Sequence, residues 1–483
     1  MEAPRILVKG LASGYEVEHL VRVFYPAAVV AAGTGTRGAV VYARCGSARL
    51  AAGVRQAPAC RVRTAPLPHG QSVKLALCRL VYDVLCEATG MRPPWGLLTG
   101  VRPLNLLRKQ LAAGGGEGAR RHFLQACDVS REKFDMAMEI AARQAPVLEQ
   151  SPKNAYSLYV SIPFCPTRCA YCSFVSRTVE REGHLLAPYL EKLAEELAQT
   201  ARLAKENGLR LQTVYIGGGT PTVLSAAQLA FLLQTLERHF APATTLEYTV
   251  EAGRPDCTDK EKLALLSQYG AGRISINPQS LNDEVLQAIG RRHTAADILR
   301  SYEDAREVGH FDINMDLIAG LPKDTPESFA ATLSAVAALR PENITLHTLT
   351  LKRASDLVVE SRAAQSHPAA MLAAAYPQMR QNGYAPYYLY RQKSGVENLE
   401  NTGWALPGKD GLYNIFIMEE AHTILAVGAG ASTKLVAPGG ARIQRIYNHK
   451  LPAEYLKHFD EVMDRKRGVT QFYARNLDPE TTG

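Results

Sequence analysis

At 483 residues, the chain is too long for one average domain and long enough for two or three. Its 55 Lys+Arg against 47 Asp+Glu and its 46% hydrophobic content are ordinary for a soluble globular protein. No uncharged apolar stretch approaches bilayer length, and Met1–Gly14 holds no signal-like apolar run. These features argue against membrane-spanning and secreted classes and predict a cytoplasmic protein. Of nine cysteines, six (Cys45, Cys60, Cys78, Cys86, Cys127, Cys257) are scattered and three are clustered. That usage predicts reduced thiols and a ligand site, not a disulfide framework.

Residues 1–150 read as an N-terminal α+β module. Ile6–Lys9 and Ala39–Ala43 are expected strands, with a helix over Glu16–Phe24 between them. Helices follow over Ser72–Ala88 and Arg131–Gln144, the latter stopped by Pro146. Between them lie Pro93-Pro94-Trp95-Gly96 and Thr99-Gly100-Val101-Arg102-Pro103, a turn-rich connection. From Glu18 to Asp83 there is no acidic residue, yet Arg22, Arg37, Arg44, Arg49, Arg55, Arg61, Arg63, Lys74 and Arg79 fall there. This is either a solvated face or a surface for an anionic partner. No RNA-binding motif accompanies it, so nucleic acid is the weaker reading.

From Tyr156 the pattern becomes strand–loop–helix. Expected strands are Tyr156–Ile162, Thr213–Ile216, Leu246–Glu251, Arg273–Asn277, Ile313–Ile318 and Ile344–Leu349. Leu186, Leu190, Leu193 and Leu197 mark one face of a helix. Helix starts are expected at Ser225 and Thr258, each with a capping box, and at Thr325-Pro326. Helices are also expected to fill Asn282–Gly309. Six such units predict an α/β fold: a partial (β/α)6 TIM-like barrel over residues 151–355. Residues 356–483, with an aromatic strand (Tyr384–Tyr390) and the Gly-rich Gly428–Ser432, are expected to form an α/β extension covering the barrel mouth.

The string Phe164-Cys165-Pro166-Thr167-Arg168-Cys169-Ala170-Tyr171-Cys172 places three thiols within eight residues at the end of the first barrel strand. Structural zinc takes four closed ligands, and ordinary [4Fe-4S] sites take four cysteines. Three leave one iron open to a cofactor. The Cys-x3-Cys-x2-Cys spacing with an aromatic before the third cysteine resembles the radical S-adenosylmethionine (SAM) superfamily. The run Gly217-Gly218-Gly219-Thr220-Pro221 lacks the Gly-Lys-Ser/Thr ending of a phosphate loop, and suits close backbone approach to a small ligand. Glu251, Gln279 and Asp316 fall at or near strand ends, and Arg291 lies in a helical connection where it could fork onto a carboxylate.

Tyr159-Val160-Ser161-Ile162-Pro163-Phe164-Cys165, the Gly-rich loop, Gln279 and Asp316-Leu317-Ile318-Ala319-Gly320-Leu321-Pro322 resemble the oxygen-independent coproporphyrinogen III oxidase branch of that superfamily. The Pro-Trp-Gly-Leu-Leu-Thr-Gly-Val-Arg-Pro string resembles the HemZ-type coproporphyrinogen dehydrogenases in particular. The resemblance implies one [4Fe-4S] cluster on Cys165, Cys169 and Cys172. It implies SAM contacts at Tyr159, Tyr171, Gly218, Gly219, Thr220, Glu251, Gln279, Arg291, Asp316 and Thr350. The family also binds a second SAM, and the presence of Gln279, Arg291 and Asp316 leans towards a second one here. The implied reaction is oxidative decarboxylation of coproporphyrinogen III to protoporphyrinogen IX, with an anionic tetrapyrrole substrate and a low-potential donor such as flavodoxin or ferredoxin. Two departures stand out. Phe174 replaces the decarboxylases' fourth cysteine, an ending shared with the haem-chaperone branch. That branch's His-Asn marker is absent, however: Glu397-Asn398 stands in the corresponding region. The alternatives are therefore a haem chaperone or tetrapyrrole-binding paralogue, and another radical SAM enzyme acting on a tetrapyrrole or nucleic acid.

Overall fold

The computed structural model describes residues 4–31, 39–56, 59–68, 72–172, 177–350, 367–392, 396–437, 440 and 442–476. Phe174, Arg37 and the boundary expected at residue 355 lie outside the described residues. The chain forms two compact units: residues 1–141 with 390–400, and residues 142–389 with 401–483.

In the first unit, β1 (Arg5–Lys9), β2 (Val29–Val30), β3 (Val40–Cys45), β4 (Arg49–Gln56) and β5 (Ala59–Pro66) form one sheet in the order β2-β1-β3-β4-β5. The helices Tyr15–Phe24 and Val73–Thr89 bury Leu20, Val21, Leu77, Val81 and Leu85, while the sheet buries Ile6, Val41, Leu50 and Val54. Ser72 caps the second helix by accepting from the Leu75 N–H. Part of the basic stretch is neutralised by acids outside it: Arg79 pairs with Asp83 at 3.0 Å, Lys74 with Glu16 and Arg63 with Glu87. The turn-rich string is tied down through Trp95, whose indole N–H donates to the buried Glu400 carboxylate at 2.6 Å; Lys133 reaches the same carboxylate at 2.7 Å. The helix Arg131–Glu149 carries Pro146 inside it and does not stop there. A proline deletes one ladder bond, and here that loss falls within the helix's last turn.

The second unit is built on an eleven-stranded sheet. Its parallel strands are β6 (Ala155–Ile162), β9 (Arg210–Gly218), β10 (Glu247–Glu251), β11 (Arg273–Ser275), β12 (Asp312–Ala319) and β13 (Asn343–Thr348), adjacent in that order. These are the six strands of the expected partial barrel. β7 (Phe164–Cys165) and β8 (Arg177–Thr178) form a separate two-residue pairing across the cysteine loop. β14 (Ala385–Arg391) and β15 (Glu400–Ala405) extend the sheet beyond β13, and β15 runs antiparallel to it. β16 (Thr423–Val427) joins the other edge parallel to β6, followed by antiparallel β17 (Ser432–Val436) and β18 (Ile443–Tyr447). Gly428–Ala431 is therefore the connection leaving a seventh parallel strand.

Alternation along the strands separates two faces. Leu158, Val160, Val214, Ile216, Val250, Ile274, Ile313, Met315, Ile344 and Leu346 are all fully buried on the helix-covered side. Ser157, Tyr159, Thr213, Tyr215, Thr249, Glu251, Ser275, Asn314, Asp316, Thr345 and His347 form the other, polar set. Their mutual bonds show that they share one face: Ser157 with Thr213 (2.6 Å), Asn314 Nδ2 to Ser275 Oγ (3.3 Å), and Thr345 Oγ1 to Asn314 Oδ1 (2.9 Å). Leu186, Leu190, Leu193 and Leu197 lie buried on the helix Leu186–Glu206, and Ser225 makes the full capping box with Gln228. The expected cap at Thr258 is instead Asp259, which accepts from the Lys262 N–H. The Thr258 hydroxyl is spent on Thr222 Oγ1 at 2.8 Å.

Candidate functional site

The loops leaving β6, β9, β10, β11 and β12 lie at one end of the sheet, the end where folds of this kind place their chemistry. The cysteine loop leaves β6 and is held from three sides. Gly219 N–H donates to Ile162 O (2.9 Å) and Thr220 N–H to Phe164 O (2.8 Å), joining it to the glycine run after β9. Ala170 N–H donates to Ile289 O at 3.0 Å. Arg254, 4% exposed, reaches it from the loop after β10: Nη2 donates to Thr167 Oγ1 at 2.9 Å and Nη1 to Cys169 Sγ at 3.6 Å.

None of the three cysteines is in a disulfide. Cys165 Sγ accepts from Thr220 Oγ1 at 3.5 Å, so two of the sulfurs face O–H or N–H donors. Such donors suit thiolates ligating iron. Cys257 points elsewhere: its sulfur meets Thr222 Oγ1 at 3.7 Å and Arg254 O at 3.5 Å, and burial pushes its thiol up to about 11.

The glycine run is required by close approach. A Cβ on Gly219 would sit 2.5 Å from Phe164 O, and Gly218 has φ +109° with Ser161 Oγ 2.9 Å from the place a Cβ would take. The run lies against β6 and presents Gly218 N–H to Glu251. Glu251 also accepts from the Tyr215 hydroxyl at 2.7 Å. Burial, opposed by those two bonds and reinforced by the nearby Asp316 charge, pushes the Glu251 carboxyl up to about 7. Tyr215 stacks on Tyr413 at 4.5 Å and on Tyr159 at 6.1 Å, making an aromatic wall beside that carboxyl.

Asp316 behaves oppositely. Burial works to raise it, but His347 at 3.6 Å and Asn314 Nδ2 at 2.8 Å hold it below the ordinary range. Gln279 has φ +66°, a strained conformation for a non-glycine residue. It is pinned there by donating its N–H to Asp316 O (2.9 Å) and accepting from Ile318 N–H (3.1 Å). Arg291 donates to Tyr171 OH at 3.0 Å and to Gly253 O at 3.3 Å. Its Nε, like Asn277 Oδ1, is buried with no hydrogen-bond partner, which leaves donor and acceptor capacity for a ligand. Thr350, at the end of β13, donates to Thr348 O at 3.3 Å.

The structure thus brings Tyr159, Gly218, Gly219, Thr220 and Glu251 together around the cysteine loop, with Tyr171 joined to Arg291, and Gln279 to Asp316. Arg254, Asn277, Tyr413 and His347 are additional polar or aromatic groups here that sequence reasoning passed over. Arg254 and Asn277 follow strand ends by only two or three residues, a positional signal that was available. Tyr413 comes from a distant helix and gave none.

A fold with this end and these groups defines a class. Residues 159–336 match the radical SAM superfamily model. The chain is 38% identical over 404 residues to the oxygen-independent coproporphyrinogen-III oxidase-like protein HemZ of Bacillus subtilis, covering 82% of this chain and 81% of that protein. It belongs to the radical SAM superfamily, in the family of HemZ and the oxygen-independent coproporphyrinogen III oxidases. The heme chaperone HemW of B. subtilis is 33% identical over 52% of this chain and 67% of its own length. The solved coproporphyrinogen III oxidase HemN of Escherichia coli superposes with a TM-score of 0.52 at 27% identity, covering 66% of this chain and 72% of that one. The family implies a [4Fe-4S] cluster and SAM, and the residues present fit both: three thiols outside any disulfide, two of them facing sulfur-directed donors, a glycine backbone stripped of side chains, and unspent polar atoms on Arg291 and Asn277.

Proposed function

We propose that the chain oxidatively decarboxylates two propionates of coproporphyrinogen III, giving the vinyl groups of protoporphyrinogen IX. The observation that carries this reading is the reach of the HemZ match. Residues 142–483 are 342 of the 483, so a match over 82% of the chain extends into the first 141 residues. The matched parts of HemW cover 52% of the chain for the B. subtilis protein and 67% for that of Lactococcus lactis, and that of the E. coli oxidase covers 40%.

In this reading Cys165, Cys169 and Cys172 would hold the cluster, with SAM bound beside it. When bound, cluster and SAM would supply one-electron reductive cleavage chemistry that yields a hydrogen-abstracting radical. The protein's share is orientation. Gly218, Gly219 and Thr220 offer backbone groups to the methionine end of SAM. Glu251, protonated or ionised near neutrality, accepts from ribose hydroxyls. Gln279, Arg291 and Asp316 provide the polar positions for a second SAM. Each propionate loses a hydrogen atom from its β-carbon; CO2 and one electron then leave as the alkene forms, the electron passing to a one-electron acceptor. A low-potential flavodoxin or ferredoxin supplies the input electron.

Anaerobic incubation of the reconstituted chain with SAM, dithionite and coproporphyrinogen should yield protoporphyrin after oxidation. SAM cleavage without a decarboxylated tetrapyrrole would refute this substrate. The haem-chaperone reading rests on the HemW similarity and on Phe174. Stoichiometric haem binding without SAM cleavage would favour it.

A further inference from the structure

Arg254 donates to one of the three sulfurs, and the sulfur it reaches is the most buried. Cys169 is 8% exposed, whereas Cys165 and Cys172 are half-buried. The guanidinium spends four contacts at once. Nε and Nη2 form a fork with Asp256 at 2.8 and 2.6 Å, Nη2 also reaches Thr167, and Nη1 is left for Cys169. Asp256 is itself aimed by this fork and lies 3.7 Å from His293 Nδ1. The result is a nearly neutral ion pair whose positive end touches a ligand sulfur and whose negative end points away from it. Thr220, the donor at Cys165, carries no charge.

We propose that the Arg254–Asp256 pair sets the reduction potential of the cluster through Cys169, with Arg254 as a positioning residue that biases the more negative, one-electron-reduced state. This rests on the reading that Cys165, Cys169 and Cys172 hold the cluster. The physical basis is that cations and hydrogen bonds at ligand sulfurs stabilise added negative charge, most strongly where water is excluded. Asp256 attenuates that effect by neutralising the guanidinium. The pair therefore makes two predictions of opposite sign, which a purely structural clamp on the loop would not make.

The test is a potentiometric titration of the reconstituted full-length chain, followed by electron paramagnetic resonance of the reduced cluster, with iron and sulfide counted for each variant. Arg254→Met should lower the midpoint by a tenfold shift or more in the redox equilibrium, about 59 mV for one electron. Arg254→Lys keeps the charge but loses the fork and should fall by less. Asp256→Asn leaves the guanidinium unneutralised and should raise the midpoint. Should Arg254→Met lose its cluster, the other two variants carry the same comparison. Full clusters whose midpoints stay together, or all move the same way, overturn the inference. Wild-type protein without four irons per chain overturns the underlying site instead.

Discussion

The two ends of the parallel strands are built on opposite terms. At the N-terminal end, charged groups meet charged groups. Glu247 accepts from Leu412 N–H (2.6 Å) and Tyr413 N–H (3.2 Å); Arg273 reaches Asp312 at 3.4 Å and Lys409 O at 3.1 Å. Lys409 pairs with Asp312 at 2.7 Å, and Arg143 forks onto Asp410. A cavity of about 500 Å³ lies there, lined by Glu247, Arg273, Asp312 and Asp410; its charged side chains are bonded to one another or to neighbouring backbone, although Arg273 Nε, 3.5 Å from Glu247, and the Tyr248 hydroxyl keep no hydrogen-bond partner. At the C-terminal end the polar atoms are held but not spent: Asn277 Oδ1 and Arg291 Nε lack partners, Gln279 is strained, and the Glu251 carboxyl sits near neutrality. Unpartnered atoms occur at both ends; the strained Gln279 and the near-neutral Glu251 carboxyl occur at this one, and they separate a site from a seam.

The sharpest way to break this contrast is at the sulfurs. Cys165→Ala, Cys169→Ala and Cys172→Ala should each abolish iron–sulfur absorption and SAM cleavage, whereas Cys257→Ala should leave iron content unchanged. Iron and acid-labile sulfide per chain check all four; loss in Cys257→Ala would mean that the ligand set is wrong. The opposite end should respond in stability instead. Arg273→Met leaves Glu247 with its two backbone donors and Asp312 with Lys409, but removes the guanidinium's bonds to Asp312 and to the Lys409 and Asp410 carbonyls; it should cost about 3 kcal/mol, read as a lower urea midpoint. Iron per folded chain should stay at the wild-type value.

The sheet was legible in the sequence because its parallel strands alternate between a helix-covered apolar face and a polar one, bounded by glycines and caps. The cysteine loop was legible because its ligands are local. What escaped depends on partners far along the chain. β16 is read as a barrel strand only once its register with β6 is known, and Tyr413 enters the site from the helix Leu412–Glu419. The helix Pro103–Arg120 escaped because Gly114 and Gly115 interrupt it with non-helical dihedrals, so the local signal is that of a loop. β5 escaped for another reason: Arg61, Val62 and Arg63 on this edge strand are all exposed, so no buried stripe marks it, whereas β4 does bury Leu50, Ala52 and Val54 in alternation, a stripe the sequence reading passed over.

Glu251 offers a finer probe of the open end. Its folded pKa, about 7, lies above the ordinary 4.5, so the protonated form is favoured by folding. That stability is fully present below about pH 4.5 and is lost as pH rises through about 7. The difference is on the order of 3 kcal/mol for a fully buried group. Glu251→Gln should flatten the urea-midpoint profile across that window in cluster-free protein. An unchanged slope would show that Glu251 ionises normally and that the site's low-dielectric character is overstated.

The smallest expected effect separates scaffold from site within a single loop. Asp259 caps the helix Lys260–Gln268 on its outer side, while the neighbouring Thr258 ties the loop after β10 to the loop after β9 through Thr222. Asp259→Ala should cost about 1 kcal/mol, the usual worth of such a cap, and leave SAM affinity alone. Thr258→Val should cost a similar amount, since one buried hydroxyl bond is lost and Thr222 is left without its donor. Because that bond also sets the spacing between the Gly219–Thr220 backbone and Arg254, SAM affinity should fall as well. Equal affinities in the two variants, measured by equilibrium dialysis, would mean that the glycine run is positioned by its bonds to Ile162 and Phe164 alone.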